Sequence, residues 1–454
     1  MHIDVCFARA LFHEKRGPVL QELGSMRLTF TIAALQFAIC ILQLSVCNPL
    51  RAVDLTRPLS PLATQGPKAK EITPPTAAEV QSAIERGVDF LLSDQRPEGS
   101  WGSAEETKGL NIYAPVPGAH HGFRLAVTGL ALKALATVEH QLEGDRRTKV
   151  AAAIDRGEAW MLAEGERVRR ATPDAIYNVW GHAFGAEGLV ALHRRAAGDA
   201  ERQAKLKEAV AVQLGKLKKY SFVGGGWSYY DFDYGTQVPG DAAFSFCTAT
   251  GLFAIHEAKS IGVEFPQKLV DKALASIYRQ QNPDLTYAYG EYLRMAPRYD
   301  INRPAGSLGR SQACNYVLRK FGDTRINDEV LTTWLNRLFA RNGWLSIGRK
   351  RPVPHESYFA VAGYFYYFGH YYAALAIDEL PEPERTKFQG HMNATILPKQ
   401  EKDGSWWDYP FYNYHRPYGT AMALFAIADR NPSPPPETDE QETKQVKKGN
   451  ANRR

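Results

Sequence analysis

The sequence predicts an all-α domain in which about twelve helices pair into six hairpins and close into an α/α toroid. Three observations predict it. Helical periodicity recurs through residues 77–430, successive helices alternate between one apolar face and apolar residues all round, and the links between them alternate between long and short.

Taken in order, the periodic segments lie near 79–94, 121–140, 147–164, 178–198, 200–219, 241–261, 266–281, 305–321, 325–341, 355–378, 382–399 and 415–430. The odd members are two-faced. Val80, Ile84, Val88 and Leu91 recur at helical spacing in the first, and Leu206, Val210, Leu214 and Leu217 do so in the fifth, between Lys205, Lys207, Lys216 and Lys218. Such helices have one wet face and belong outside. The even members are apolar or aromatic nearly all round, as in Tyr364, Phe365, Tyr366, Tyr367, Phe368, Tyr371 and Tyr372, and belong inside. Links from even to odd helices, such as Gly198 to Ala200 and Glu379 to Pro381, are a few residues long, which forces antiparallel neighbours. The other links are long and rich in Gly, Pro and Trp, so all of them should gather at one mouth with the N-terminal ends of the inner helices. One hairpin cannot bury its apolar face alone, whereas a closed set can.

The ends read differently. Met26, Arg27 and the uncharged run Leu28 to Val46 have the order of an export signal, with Met26 as the expected start. The run is also long enough for a retained anchor, and Leu44, Ser45, Val46 and Cys47 resemble a lipoprotein box in which Val46 replaces a small residue. Export to the periplasm or beyond is expected, with membrane contact through this segment only. Residues 1–50 are thus an export segment, 51–76 a Pro-rich linker, 77–430 the toroid and 431–454 a disordered tail. A formal charge of +6, spread along helices instead of blocked, points to no nucleic-acid partner. Of five cysteines only Cys247 and Cys314 lie in the body, as buried free thiols or as one bridge.

Arg86, Gly87, Phe90, Leu91, Gln95, Gly99 and Trp101 stand in the order and spacing of a QW motif, and this stretch resembles the repeat of squalene and oxidosqualene cyclases. Gln400, Gly404 and Trp406 keep its end, Arg156, Gly157 and Trp160 its beginning, and Gly225 with Trp227 and Gly343 with Trp344 its last residues. The resemblance implies the toroid of terpene cyclases and protein prenyltransferase β subunits, in which these residues are structural. Physically, the glycine can end a helix in a left-handed conformation, the Gln amide can satisfy stranded backbone groups and the Trp can pack against the next hairpin.

The catalytic strings that the resemblance implies are incomplete. Asp231, Phe232, Asp233 and Tyr234 lack the final Asp of a cyclase D-x-D-D acid. No Asp stands two residues before Cys247 or Cys314, so no zinc site is expected, no Cys-Gly-Glu-Gln thioester string exists, and no cofactor is expected. What remains is a set of polar residues at the long-loop mouth. His182, Tyr230, Asp231, Asp233, His355 and Glu356 are the candidates for proton transfer, and His121, Asn178, Trp180, Glu291, Arg303, Arg310 and His415 for binding. His120, Arg124, Tyr229, Arg294, Asp408 and Arg416 share the rim, while Asn178 and Asp241 also suit helix capping. Two ligand classes follow: a terpenoid or other long apolar molecule, or an acidic glycan cleaved by a lyase in which Asn178 or an Arg neutralises the uronate and His182 or Tyr230 moves the proton. A binding module without chemistry is the third reading.

Overall fold

The computed structural model describes residues 55–107, 117–167, 178–228, 243–353 and 361–430, with the side chains of 117–119 and 178 excepted. The described residues belong to one compact unit, Val53–Arg454. They carry thirteen α-helices: α1 Ala77–Asp94, α2 Pro117–Val138, α3 Gly144–Glu164, α4 Asn178–Arg195, α5 Ala200–Tyr220, α6 Ser245–Ser260, α7 Gln267–Arg279, α8 Pro304–Lys320, α9 Asp328–Ala340, α10 Asn342–Ser346, α11 Phe365–Asp378, α12 Glu384–Ile396 and α13 His415–Ile427. The short α10 is the one helix that the periodicity did not single out. No helix among the described residues is long and apolar enough to cross a membrane.

The inner helices α2, α4, α6, α8, α11 and α13 each touch the next, and α13 returns to α2, so the toroid is closed. The inner helices run parallel. Their C-terminal ends meet through Arg195 with Glu139 (2.7 Å), Arg194 with Glu257 (2.8 Å) and Arg430 with Asp378 (2.8 Å), and their N-terminal ends meet at the opposite mouth. The closest approach is between α2 and α4, where Gly122, Gly129, Gly181 and Gly188 lie backbone against backbone. A methyl added at Gly129, Gly181 or Gly188 meets main chain. Near the C-terminal end of the axis, the buried Lys133 ammonium bonds Glu187 (2.8 Å) and the Tyr371 hydroxyl (2.5 Å), with the Phe253 ring 4.7 Å from the charge. This polar knot fills the end of the ring away from the mouth.

Three outer helices, α1, α5 and α12, are tied to the next by a repeated turn. Gly99 (φ +100°), Gly225 (φ +99°) and Gly404 (φ +87°) are left-handed, and a Cβ on any of them would collide with the carbonyl of Arg156, Lys272 or Arg86 on the neighbouring outer helix. Two residues on, Trp101, Trp227 and Trp406 are fully buried and donate their indole N–H to the carbonyls of Leu91, Leu217 and Ile396, at 2.8, 2.8 and 3.0 Å. Their backbone N–H groups bond the hydroxyls of Thr128, Thr248 and Thr420 on inner helices. Gln95 donates to Gly99 and Ala153 carbonyls, and Gln400 donates to Gly404 and Ala83 carbonyls, the latter joining the last hairpin to the first. Arg156 and Arg86 hold the two Gln oxygens in place.

A fourth copy follows α7. Leu285 (φ 62°) stands where the glycine stands, Tyr287 replaces the tryptophan, and the turn keeps its hydrogen bonds from Asn282 N–H to the Thr286 carbonyl and from Leu285 N–H to the Asn282 carbonyl. Composition hid it, because neither Gly nor Trp is present. Gly343 and Trp344 depart from the repeat: both lie in or beside α10, and Trp344 is 47 % exposed.

The segment before α1 was expected to be a bare linker. Instead its described part lies on α9: Pro61–Thr64 forms a 3-10 turn with Ala63 buried, Arg337 donates to the carbonyls of Leu62 and Gln65, and Asn336 accepts from Ala69 N–H at 3.0 Å. Proline removes donors from this chain, so side chains of α9 satisfy its carbonyls. The export segment and the tail lie outside the described residues. Cys247 and Cys314 are buried and form no disulfide among the described residues, and burial pushes the Cys314 thiol up to about 12.

Candidate functional site

The mouth is lined by a collar of aromatic rings. From α4 it runs Trp180 to Phe246 (ring centroids 6.1 Å), Phe246 to Phe365 (5.0 Å), Phe365 to Tyr364 (4.7 Å), Tyr364 to Tyr409 (5.8 Å), Tyr409 to Phe411 (6.1 Å) and Phe411 to Phe123 on α2 (4.9 Å). Because α2 and α4 are adjacent, the circuit is complete to within one helix contact. Tyr289 packs on Phe246 (5.1 Å), and its hydroxyl lies 3.2 Å from that of Tyr364. Trp180, Tyr364, Phe411 and Tyr418 are half-buried although they stand on or beside inner helices.

Among the described residues, the carboxyl of Asp408 sits beside this collar. Asp408 is fully buried, accepts the N–H of Tyr367 in the first turn of α11 at 3.1 Å, and acts on the phenol of Tyr418. Burial raises its pKa from 3.8 to about 7, against the lowering pull of the Tyr367 N–H and of Arg349. Near neutral pH it is therefore divided between acid and base, which suits a group that gives or takes a proton. The wall beside it adds His120, whose ring lies 5.0 Å from Tyr412 and whose pKa falls to about 4 through burial and Arg124.

Those residues singled out from sequence that are described do not gather in one place. Tyr230, Asp231, Asp233, His355 and Glu356 lie outside the described residues, as do Tyr229 and Asp241, and Asn178 is described only as the first residue of α4. Trp180 is in the collar. His182 turns away from the axis: its Nδ1 lies 2.8 Å from Gln213 Oε1, its ring stacks on Tyr220 (5.9 Å), both on the outer helix α5, and burial drives its pKa down to about 4. His121 also faces outward, with Nε2 2.9 Å from the Glu164 carbonyl. Glu291 is buried against Arg279 (2.7 Å), and Arg303 pairs with Asp300 (3.2 Å) at the surface. His415 Nδ1 lies 2.5 Å from the Tyr412 carbonyl, with its ring 5.0 Å from Trp407. Arg310 is fully buried behind Tyr289 and Phe365, giving its N–H groups to the carbonyls of Tyr287, Gly306 and Ile301. The structure thus brings Trp180 and Arg310 to the collar and leaves His121 and His182 in the outer layer.

Apart from Trp180, the aromatic members were missed as site residues because apolar inner helices read equally as core. A signal existed: Phe123, Phe246 and Phe365 fall in the first two turns of inner helices, as Trp180 does, at the end where the long loops gather. Among the described residues no three His, Cys, Asp or Glu side chains converge as metal ligands would.

No family model matches the sequence, and none of the curated proteins does. Among solved structures, the chain is similar to a cellobiose 2-epimerase from Spirochaeta thermophila (15 % identity, 78 % of this chain and 98 % of that one, TM-score 0.50). It is also similar to the type II terpene cyclase MstE from Scytonema (14 %, 78 % and 98 %, 0.44) and to an inactive variant of a GH76A α-1,6-mannanase from Salegentibacter in complex with α-1,6-mannotriose (10 %, 77 % and 98 %, 0.49). At these identities the likeness shows the fold alone. The neighbours are α/α toroids, as is this chain.

Proposed function

We propose that the mouth binds a terpenoid or other long apolar ligand, with Asp408 as the group that exchanges a proton with it. The observation that carries this reading is the aromatic collar: rings from the inner helices α2, α4, α6 and α11 and from the loop before α13 contact one another in sequence at the mouth, an apolar surface that suits an apolar ligand. The repeated Gln, Gly and Trp turns support a squalene-cyclase-like origin of the ring, because their geometry recurs from hairpin to hairpin and joins the last to the first. The run from Leu28 to Val46 supports export.

The test is direct. Purified protein is incubated with squalene and with prenyl-chain compounds, followed by thermal-shift measurement and product analysis by mass spectrometry. Stabilisation that weakens at least tenfold in ligand affinity on Phe246→Ala supports the collar as the site; turnover lost in Asp408→Asn with binding retained supports its role. Absence of both stabilisation and turnover removes the reading.

The glycan reading retains one specific observation. Tyr292 and Tyr299 are 52 % exposed each on the lip between α7 and α8, beside Arg294 and Arg303, and exposed rings with cations suit stacking on acidic sugars. Its proton-transfer assignment to His182 is not favoured by a ring that faces Gln213 and Tyr220.

A further inference from the structure

The surface around the mouth is unlike the surface at the other end of the ring. Among the described residues nine large apolar side chains are exposed, and six of them stand at the mouth. Tyr292, Met295 and Tyr299 lie in the link between α7 and α8, while Leu162, Val223 and Trp344 lie at or just beyond the C-terminal ends of α3, α5 and α9. The links at the opposite end, 139–143, 196–199, 261–266, 321–327 and 379–383, hold none of the nine. That end carries ion pairs instead, among them Arg194 with Glu257 (2.8 Å) and Lys320 with Glu379 (2.9 Å). Single exposed apolar residues are ordinary, but their gathering at one end of a molecule marks a contact surface.

The lip between α7 and α8 is built to hold its apolar side chains outward. Glu291–Leu293 and Asp300–Asn302 are 3-10 turns, and the buried Asn302 ties the segment together. Its Nδ2 donates to the Leu293 and Ala296 carbonyls at 3.1 and 2.9 Å, and its Oδ1 accepts the Tyr289 N–H at 2.8 Å. On this fixed lip Tyr292 and Tyr299 are 52 % exposed and Met295 is 87 % exposed. Arg294, Arg298 and Arg303 share the segment with only two carboxylates, Glu291 and Asp300, so its net charge is positive. Beside it a groove of about 360 Å³, bordered by Leu62, Pro304 and Arg341, leads to Trp344, whose ring centre lies 5.1 Å from the Arg341 guanidinium carbon.

We infer that the mouth face docks on a membrane surface, with Tyr292, Met295 and Tyr299 entering the headgroup layer of a bilayer that contains anionic lipid, and Arg298 and Arg341 meeting lipid phosphates. Half-exposed aromatic rings suit the boundary between headgroups and chains, an exposed thioether gains by leaving water there, and guanidinium groups beside them complement phosphate. An acidic polysaccharide is the competing occupant. It would stack on the two tyrosines but offers nothing to Met295, the most exposed of the three, so the observations favour lipid. This contact is separate from the one expected of residues 28–46. It also goes beyond the collar reading, because it needs no ligand in the collar.

The test is hydrogen exchange read by mass spectrometry on the full-length chain, alone and with vesicles of phosphatidylcholine and phosphatidylglycerol, without any collar ligand. The expected result is slower exchange across 290–303 and 341–346 on vesicles, with the links 139–143, 196–199 and 379–383 unchanged. Vesicle binding that leaves 290–303 unprotected, equal protection at both ends, or no binding at all overturns the inference. A uronate oligosaccharide that protects 290–303 where vesicles do not also overturns it, in favour of a glycan face. Residues 1–50 are present throughout, so any binding through them is common to every variant. Met295→Glu combined with Tyr299→Glu changes exposed side chains only, and circular dichroism checks the fold. Protection of 341–346, outside the altered segment, should then need more than about ten-fold more lipid, and an unchanged requirement overturns the inference. Arg298→Gln should raise the lipid needed for half-maximal protection about five-fold, the loss of one cation at an anionic surface.

Discussion

Substitution of Gly404 isolates what closes the ring. The residue is left-handed (φ +87°), and an added Cβ would collide with the Arg86 carbonyl on α1. Forcing an alanine into this conformation costs about 1–2 kcal/mol. The collision then drives the turn off α1, removing the bonds from Gln400 to the Ala83 and Gly404 carbonyls (2.9 Å each), worth about 1 kcal/mol apiece. Gly404→Ala should therefore destabilise by about 3–4 kcal/mol. Gly198 is the control, because it is equally left-handed (φ +94°) yet has nothing within 4 Å of an added Cβ. Gly198→Ala should cost only the conformational part, about 1–2 kcal/mol. Urea denaturation followed by tryptophan fluorescence measures both. If Gly404→Ala costs no more than Gly198→Ala, contact with α1 does not close the ring, and the repeated turn is a local helix stop.

Four further outcomes are expected. Lys133→Met should destabilise by about 3–5 kcal/mol because Glu187 is left buried without its cation, and adding Glu187→Gln should recover part of that loss in a double-mutant cycle. His182 titrates near 6.5 unfolded and at about 4 folded, so its contribution is complete above pH 6.5 and is lost as pH falls towards 4. His182→Gln should flatten the stability profile in that window by about 3 kcal/mol, read from denaturation at a series of pH values. Asp408 has the opposite sign: with a folded value of about 7 above 3.8, it costs stability as pH rises from about 4 through 7, and Asp408→Asn should remove that slope. Gln95→Ala strands the carbonyls of Gly99 and Ala153 and should cost about 1–3 kcal/mol by the same assay.

Much of the architecture was legible because it is carried by periodicity. The wet face of α5 and the aromatic enclosure of α11 are local patterns, and the alternation of short and long links fixes which helix ends share a mouth. The turn after α7 was not legible, because Leu285 and Tyr287 reproduce a backbone path with residues that match neither Gly nor Trp. Docking of the proline-rich arm was hidden for a similar reason: it depends on Arg337 and Asn336, nearly 270 residues away. The extra helix Asn342–Ser346 is a single short turn that no periodicity can mark.

By itself the sequence determined the helical hairpins, their inner or outer place and the mouth at which the long connections meet, since each follows from spacing along one chain. Only the tertiary structure decided which way the mouth residues point. His182 and Trp180 are two positions apart on one helix, about 200° around it, so one rests on the outer layer and the other enters the collar. Residue type names the chemistry a side chain can do, but helix rotation and neighbours in other hairpins determine what it meets.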